Sequence, residues 1–267
     1  IDACCTGGGA FAAGLEAARL RAFAPGRLTE ATHDDLIEAA FDPFCKEWGD
    51  FEHCEDREGP QKGKSFSRVF HALEEYLHFH PPLADDIQPV IFPDGNPAVE
   101  FSFAIPLLDL PPHPSGTPFV YVGRFDLLGL WGNEVVVLDE KTTSALGTSW
   151  LQQWDLRSQF LGYSWACQQL GHPVHMCFVR GIGLLITKPT FLTAPVRYSQ
   201  ALIDKWYGQL GRTIQYMLDI YNGGFYDQNF GDSCSAYGGC SYKPICASAI
   251  ESQWFGTYEA RPWNPIK

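Results

Sequence analysis

Positive charge is scarce in this sequence. Its 267 residues carry 19 Lys+Arg against 31 Asp+Glu, a formal net charge of −12. A uniformly basic surface, the usual footprint of a protein that grips a polyanion by charge alone, is therefore excluded. The deficit is uneven. Residues 141–267 hold 10 basic and 7 acidic residues, a net of +3, whereas residues 1–140 hold 9 and 24, a net of −15. A path for a polyanion would run along the second half, past Arg157, Lys188, Arg197, Lys205 and Arg212, leaving the acidic first half to solvent or a partner protein. No apolar run approaches a membrane span and no signal peptide is visible, so a cytoplasmic protein without membrane contact is expected. Nine cysteines is an odd number and three of them cluster, which argues against a secreted disulfide framework. The eight histidines are scattered, His78 and His80 falling on opposite sides of any helix, and no histidine metal site emerges. There is no internal repeat and no low-complexity tract. The chain opens on Ile1 rather than Met, so residues upstream are expected.

What is present is material for a sizeable core: 45% hydrophobic and 14% aromatic residues. Apolar spacings of three and four predict helices over 10–23, 30–46, 64–79, 148–170 and 200–222. Strands are expected over 86–92, 98–105, 119–131, 134–141, 174–181 and 183–198, with loops over 55–63 and 111–116. Strands, then a helix, then strands fit an α/β fold with a mixed sheet. The expected organisation is one domain over 1–267, helical over 1–85, with an α/β core over 86–222 and a cysteine-bearing segment over 223–267. Gly7-Gly8-Gly9 reads as a turn in preference to a phosphate-binding loop.

The most informative stretch is GRFDLLGLWGNEVVVLDEK, residues 123–141. Gly132-Asn133 lies between two runs rich in β-branched and aromatic residues, the signal of a two-residue hairpin in which Gly supplies a positive φ. Pairing Trp131 with Glu134 sets Asp126 opposite Asp139 and Arg124 opposite Lys141. Alternation then gives Asp139 and Lys141 one face of the strand and Glu140 the other. Facing carboxylates destabilise a sheet unless a cation or basic neighbour offsets them. Hard divalent ions such as Mg²⁺ take one or two carboxylates together with substrate phosphates, and a lysine beside the ion can orient water or stabilise phosphate charge. A strand-end ion-pair group, with Arg124 and Lys141 neutralising the two acids, is the alternative reading. Glu100, which alternates with Phe101 and Phe103, is a further candidate acid or a solvated strand position.

Asp126 after Gly123-Arg124, followed by Asp139-Glu140-Lys141 at the end of an apolar strand, resembles the PD-(D/E)xK nuclease superfamily. The branch it is similar to is that of RecB- and AddB-type exonuclease domains and their iron–sulfur relatives, which also carry Gln-x-x-x-Tyr on the next helix. Gln159 and Tyr163 match that pair, four residues apart on one helical face. The resemblance implies a restriction-endonuclease-like core, a central mixed sheet flanked by helices. It implies a Mg²⁺- or Mn²⁺-dependent DNA exonuclease of recombination, repair or replication, phage-encoded enzymes included. Asp126, Asp139 and Glu100 would be metal ligands and Lys141 the catalytic lysine. Gln159 and Tyr163 would position the lysine or the DNA, and Arg124 and Arg157 would contact DNA. A helicase or recombination protein is the implied partner. One departure stands out: where relatives have an early-helix histidine ligand, Gly9-Ala10-Phe11-Ala12-Ala13-Gly14-Leu15-Glu16 has Ala12. That supports a second reading, a catalytically silent domain, stapled by its cluster, that binds DNA or a partner.

Cys234, Cys240 and Cys246 lie at short intervals among glycines and a proline, a loop able to wrap a thiolate-bound metal. The resemblance implies a [4Fe–4S] cluster completed by Cys4 or Cys5, with Cys45 and Cys54 behind them; Zn²⁺, disulfides or free thiols are the alternatives. Cys167 and Cys177 read as small core residues.

Overall fold

The computed structural model describes residues 3–24, 31–49, 65–184, 188–224, 227–228, 231–235 and 239–259, with only the backbone described for residues 3–6 and 233. Three helices come first: α1 (Ala3–Ala22), α2 (His33–Trp48) and α3 (Phe66–Phe79). Thr32 caps α2 reciprocally with Asp35, side chain to backbone in both directions, which satisfies two otherwise orphaned N–H groups. Phe11, Leu15, Leu36, Phe44, Leu73 and Tyr76 interlock in one apolar cluster that also receives Ile182 and Leu184. The helices cross closely at Gly14, where a Cβ would stand 2.5 Å from Leu73 Cδ2 and 3.4 Å from the Ala40 carbonyl oxygen. Gly7-Gly8-Gly9, expected in a turn, lies inside α1. The reason is again proximity: a Cβ on Gly8 would meet Thr142 Oγ1 at 3.2 Å, and one on Gly9 would meet Glu47 Oε1 at 2.9 Å.

Six strands follow: β1 (Ile87–Pro89), β2 (Val99–Pro106), β3 (Val120–Trp131), β4 (Glu134–Thr143), β5 (Met176–Gly183) and β6 (Thr190–Arg197). They form one sheet in the order β1-β3-β4-β5-β6, with β2 also pairing β3. The β4–β5 pair is parallel and β1–β3, β3–β4 and β5–β6 are antiparallel, so the sheet is mixed. Parallel neighbours need a crossover, and α4 (Thr148–Gln152) and α5 (Ser158–Gln169) supply it. The mixed α/β architecture read from the sequence holds: a curled mixed sheet flanked by helices, the restriction-endonuclease-like core. The helix expected over 148–170 is broken in the middle. Trp150 and Trp154 are both buried, and the Trp154 carbonyl accepts the Tyr198 hydroxyl at 2.7 Å. That anchoring turns the chain at residues 153–157 before α5 restarts.

The chain divides into two compact units, residues 1–105 with 121–208, and residues 106–120 with 209–267. The first holds the helices and most of the sheet described above. Within the second, His113 packs on Tyr221 and Gly211 approaches Leu110. The helix α6 (Gln200–Gly223) precedes a short α7 (Lys243–Cys246), and beyond it Tyr258 stacks on Tyr242 and donates to the Ser241 carbonyl at 2.7 Å.

Candidate active site

The hairpin turn does what its residues require: Gly132 has φ +58° and Trp131 pairs with Glu134. The register runs true to Leu127↔Leu138, one step short of Asp126 and Asp139. There β3 leaves the ladder. The Asp126 carboxylate takes over from the strand backbone and accepts the Glu140 N–H through Oδ2 at 2.9 Å. β5 holds the far side of β4, with Asp139↔Val179, Glu140↔Arg180 and Lys141↔Gly181 in register. Arg124, expected opposite Lys141, instead pairs through Nε with Glu100 Oε2 at 2.7 Å and is itself largely exposed.

Asp139 has no exposed surface. Its Oδ1 accepts Gln159 Nε2 at 3.0 Å, and Lys141 Nζ lies 2.6 Å from Oδ2. The same Gln159 amide reaches the Tyr163 hydroxyl at 3.0 Å, which donates to the Arg124 carbonyl at 2.7 Å. The helical pair therefore fixes Asp139 and ties α5 to β3. Glu140 points toward α1 and α3, where Arg19 and Tyr76 bind its carboxylate, and with Arg19 it lines the same cavity as Asp126 and Lys141. Glu100 occupies a left-handed backbone conformation, φ +47°, the one non-glycine residue to do so among the described residues. Such strain gathers at functional positions.

Burial sets the electrostatics. Desolvation pushes Asp139 above the usual carboxylate range, and the charge of Asp126 adds to the effect. Asp126 is raised by burial and then by Glu140. Burial, followed by Asp126, pushes Glu100 up to about 8. Burial works against the charge of Lys141, but the Asp139 and Asp126 carboxylates outweigh it and its pKa is raised. Three acids held above their ordinary range beside one lysine make a site that favours added positive charge.

A cavity of about 220 Å³ opens here, lined by Gly8, Ala12, Glu16, Glu100, Asp126 and Lys141 among others. Apart from the Lys141 ion pair, Asp139 Oδ2 accepts no hydrogen bond. Hard oxygen donors of this kind fit Mg²⁺ or Mn²⁺. Among the described residues no three His, Cys, Asp or Glu side chains form a group that could hold an ion; Mg²⁺ is commonly held by one or two carboxylates together with water and substrate phosphates.

The other expected residues lie elsewhere. Arg157 precedes α5, stacks 5.6 Å over Trp154 and donates to Gln153. Cys234 and Cys246 are half-buried and Cys240 is exposed. The Cys240 N–H donates to the Cys234 carbonyl at 3.1 Å. No zinc or iron–sulfur ligand group is formed among the described residues. The side chains of Cys4 and Cys5, and all of Cys54, fall outside them. Cys45, Cys167 and Cys177 are buried, the last two as the core residues expected. Sequence reading missed Arg19, Tyr76 and Arg180. Two signals were available: Arg19 sits four residues past Leu15 on the apolar face of its helix, and Arg180 interrupts the apolar run of a strand. Tyr76 gave none, since tyrosine on a buried helix face is ordinary.

Comparison with known proteins gives one assignment. The family model described as the PD-(D/E)XK nuclease superfamily matches residues 15–247, most of the chain. No curated protein and no solved structure matches it.

Proposed function

The chain belongs to the PD-(D/E)XK nuclease superfamily, and from that premise we propose that it is a Mg²⁺- or Mn²⁺-dependent DNA exonuclease of the RecB/AddB-like kind. The observation that carries the reading is the Asp139 carboxylate, buried, oriented by Gln159 and paired with Lys141 beside a cavity bearing Asp126 and Glu100. Asp126, Asp139 and Glu100 would hold the ion, which when bound supplies Lewis-acid activation of water and of the scissile phosphate. Lys141 stands where it can orient the attacking water and offset charge developing on phosphate oxygens. Water adds to phosphorus in line, giving up one proton to solvent, as the bond to the sugar oxygen breaks, and that oxygen leaves with a proton drawn from solvent. Gln159 holds Asp139, and Tyr163, which accepts from Gln159, holds the Arg124 carbonyl two residues before Asp126.

The [4Fe–4S] cluster belongs to the same proposal, with Zn²⁺ as the alternative occupant of Cys234, Cys240 and Cys246. The Cys240 N–H on the Cys234 carbonyl holds two of these positions near each other, and Cys246 follows as the last residue of α7, which supports it. A helicase or recombination protein is the proposed partner, and the acidic first half of the chain the surface offered to it.

One observation favours a second reading, a catalytically silent DNA- or partner-binding domain. Ala12 lines the cavity and brings no donor to it. The experiment that separates the two uses linear and covalently closed circular DNA, single- and double-stranded, with Mg²⁺ or Mn²⁺. Release of nucleotides from linear DNA only is expected. Nicking of circles would replace exonuclease by endonuclease, and inertness with both metals would select the silent domain.

A further inference from the structure

Glu140 stands between the two residues of the motif, and the proposed chemistry gives its side chain nothing to do. It is nevertheless the most firmly held carboxylate in the site. Arg19 grips both of its oxygens, Nη2 to Oε1 at 2.5 Å and Nη1 to Oε2 at 3.2 Å. The Tyr76 hydroxyl donates to Oε1 at 2.8 Å. Behind Tyr76, Arg180 Nη1 donates to that hydroxyl at 3.4 Å, and Arg180 forks onto both Asp85 oxygens at 2.6 Å each. Two guanidinium groups and two carboxylates, nearly all out of solvent, thus join α1, α3 and β5 behind β4.

Fold stability does not explain such a network. Well-packed apolar side chains of equal volume commonly serve as well or better than a buried ion pair. Specific placement of something does explain it, and the main chain shows what is placed. The Glu140 N–H donates to Asp126 Oδ2 at 2.9 Å. It is the one hydrogen bond that carboxylate accepts among the described residues, at the point where β3 has already left the ladder. Pairing with β5 and the clamp on its side chain together hold the Glu140 peptide in place. One oxygen of Asp126 is then fixed and the other is left for a ligand.

We propose that Arg19 and Tyr76 are positioning residues for the Asp126 carboxylate, acting through Glu140. The proposal rests on the reading of Asp126 as a metal ligand. Partners that orient a ligand in this way typically contribute ten- to a hundredfold in metal affinity.

The test is Mn²⁺ affinity, read by electron paramagnetic resonance well below the melting midpoint of each protein. The set comprises wild type, Tyr76→Phe, Arg19→Gln, Asp126→Asn and the packing control Leu36→Ala. Tyr76→Phe is expected to bind Mn²⁺ about tenfold more weakly and Arg19→Gln at least as much so. Leu36→Ala, which opens the helical core without touching the site, should melt earlier and bind as wild type does. If Arg19→Gln does not fold, the isosteric Tyr76→Phe carries the test. Wild-type affinity in Tyr76→Phe, or equal weakening in Leu36→Ala, would overturn the positioning role while leaving Asp126 a ligand. A wild type that binds no Mn²⁺, or an Asp126→Asn variant that binds it normally, would overturn the ligand reading and the positioning role with it.

Discussion

A carboxylate with no exposed surface beside a second carboxylate is costly as an anion, and Asp139 is held that way by design of its neighbours. Lys141 and Gln159 engage its two oxygens, yet burial and Asp126 still hold its pKa up. Replacing it by Asn keeps an acceptor for Gln159 and removes the charge. Hypothesis: in EDTA the Asp139→Asn protein melts at the wild-type temperature or higher, and Mg²⁺ raises the melting temperature of the wild type alone. A variant that melts lower in EDTA would instead make Asp139 one half of a structural ion pair. Glu100 gives a pH-dependent counterpart. Its folded-state pKa is raised from 4.5 to about 8, by burial first and Asp126 second. Below 4.5 the group is neutral in both states and adds no penalty. Between 4.5 and about 8 the unfolded chain ionises before the folded one does, so stability is lost as pH rises through that window. Metal-free wild type should therefore lose melting temperature relative to Glu100→Gln between pH 5 and pH 8. Parallel curves for the two proteins would remove Glu100 from the buried acids of the site.

Element by element, what was legible in the sequence was whatever local chemistry decides. Gly132-Asn133 specified the hairpin and its register, because a positive φ at Gly132 is a local requirement. Illegible were features decided by contacts distant in sequence. The break between α4 and α5 depends on Tyr198, more than 40 residues on, taking the Trp154 carbonyl. The glycines of α1 look like a turn until Thr142 and Glu47 are seen against them. Gly14 is the clearest of these close approaches. Gly14→Ala is expected to destabilise the protein by about 1–3 kcal/mol through overpacking, partly offset by up to about 1 kcal/mol of helix propensity. Denaturant unfolding measures it. An alanine variant more stable than wild type would mean that α1 and α3 can separate there at no cost.

At the scale of the whole molecule, the order of motifs along the chain revealed more than any one of them. Asp126, Asp139, Lys141, Gln159 and Tyr163 are short signals; folding gathers Lys141, Gln159 and Tyr163 around the Asp139 carboxylate and the Arg124 carbonyl, and sets Asp126 on the Glu140 N–H beside them. The exit of β3 from the ladder at Asp126 was hidden, because strand pairing rules carry no information on where a strand departs. Hidden too was the balance of charge behind the site, since Arg19 and Arg180 meet their acids across 121 and 95 residues. The cysteines make a separate prediction. Anaerobically purified protein should contain iron, and replacing Cys234, Cys240 and Cys246 by Ser should cost folding as well as metal, because the two are coupled in such sites. Stoichiometric zinc without iron would refute the cluster and keep a metal-bound loop; absence of both would refute a metal at these cysteines. The most direct test of the whole account is Lys141→Ala in single-turnover digestion of end-labelled linear DNA with saturating Mg²⁺ or Mn²⁺. The side chain lines the cavity and fills no core, so an unchanged circular dichroism spectrum, near-unchanged DNA binding and at least a hundredfold slower cleavage are expected. Wild-type cleavage by a folded Lys141→Ala protein would contradict it.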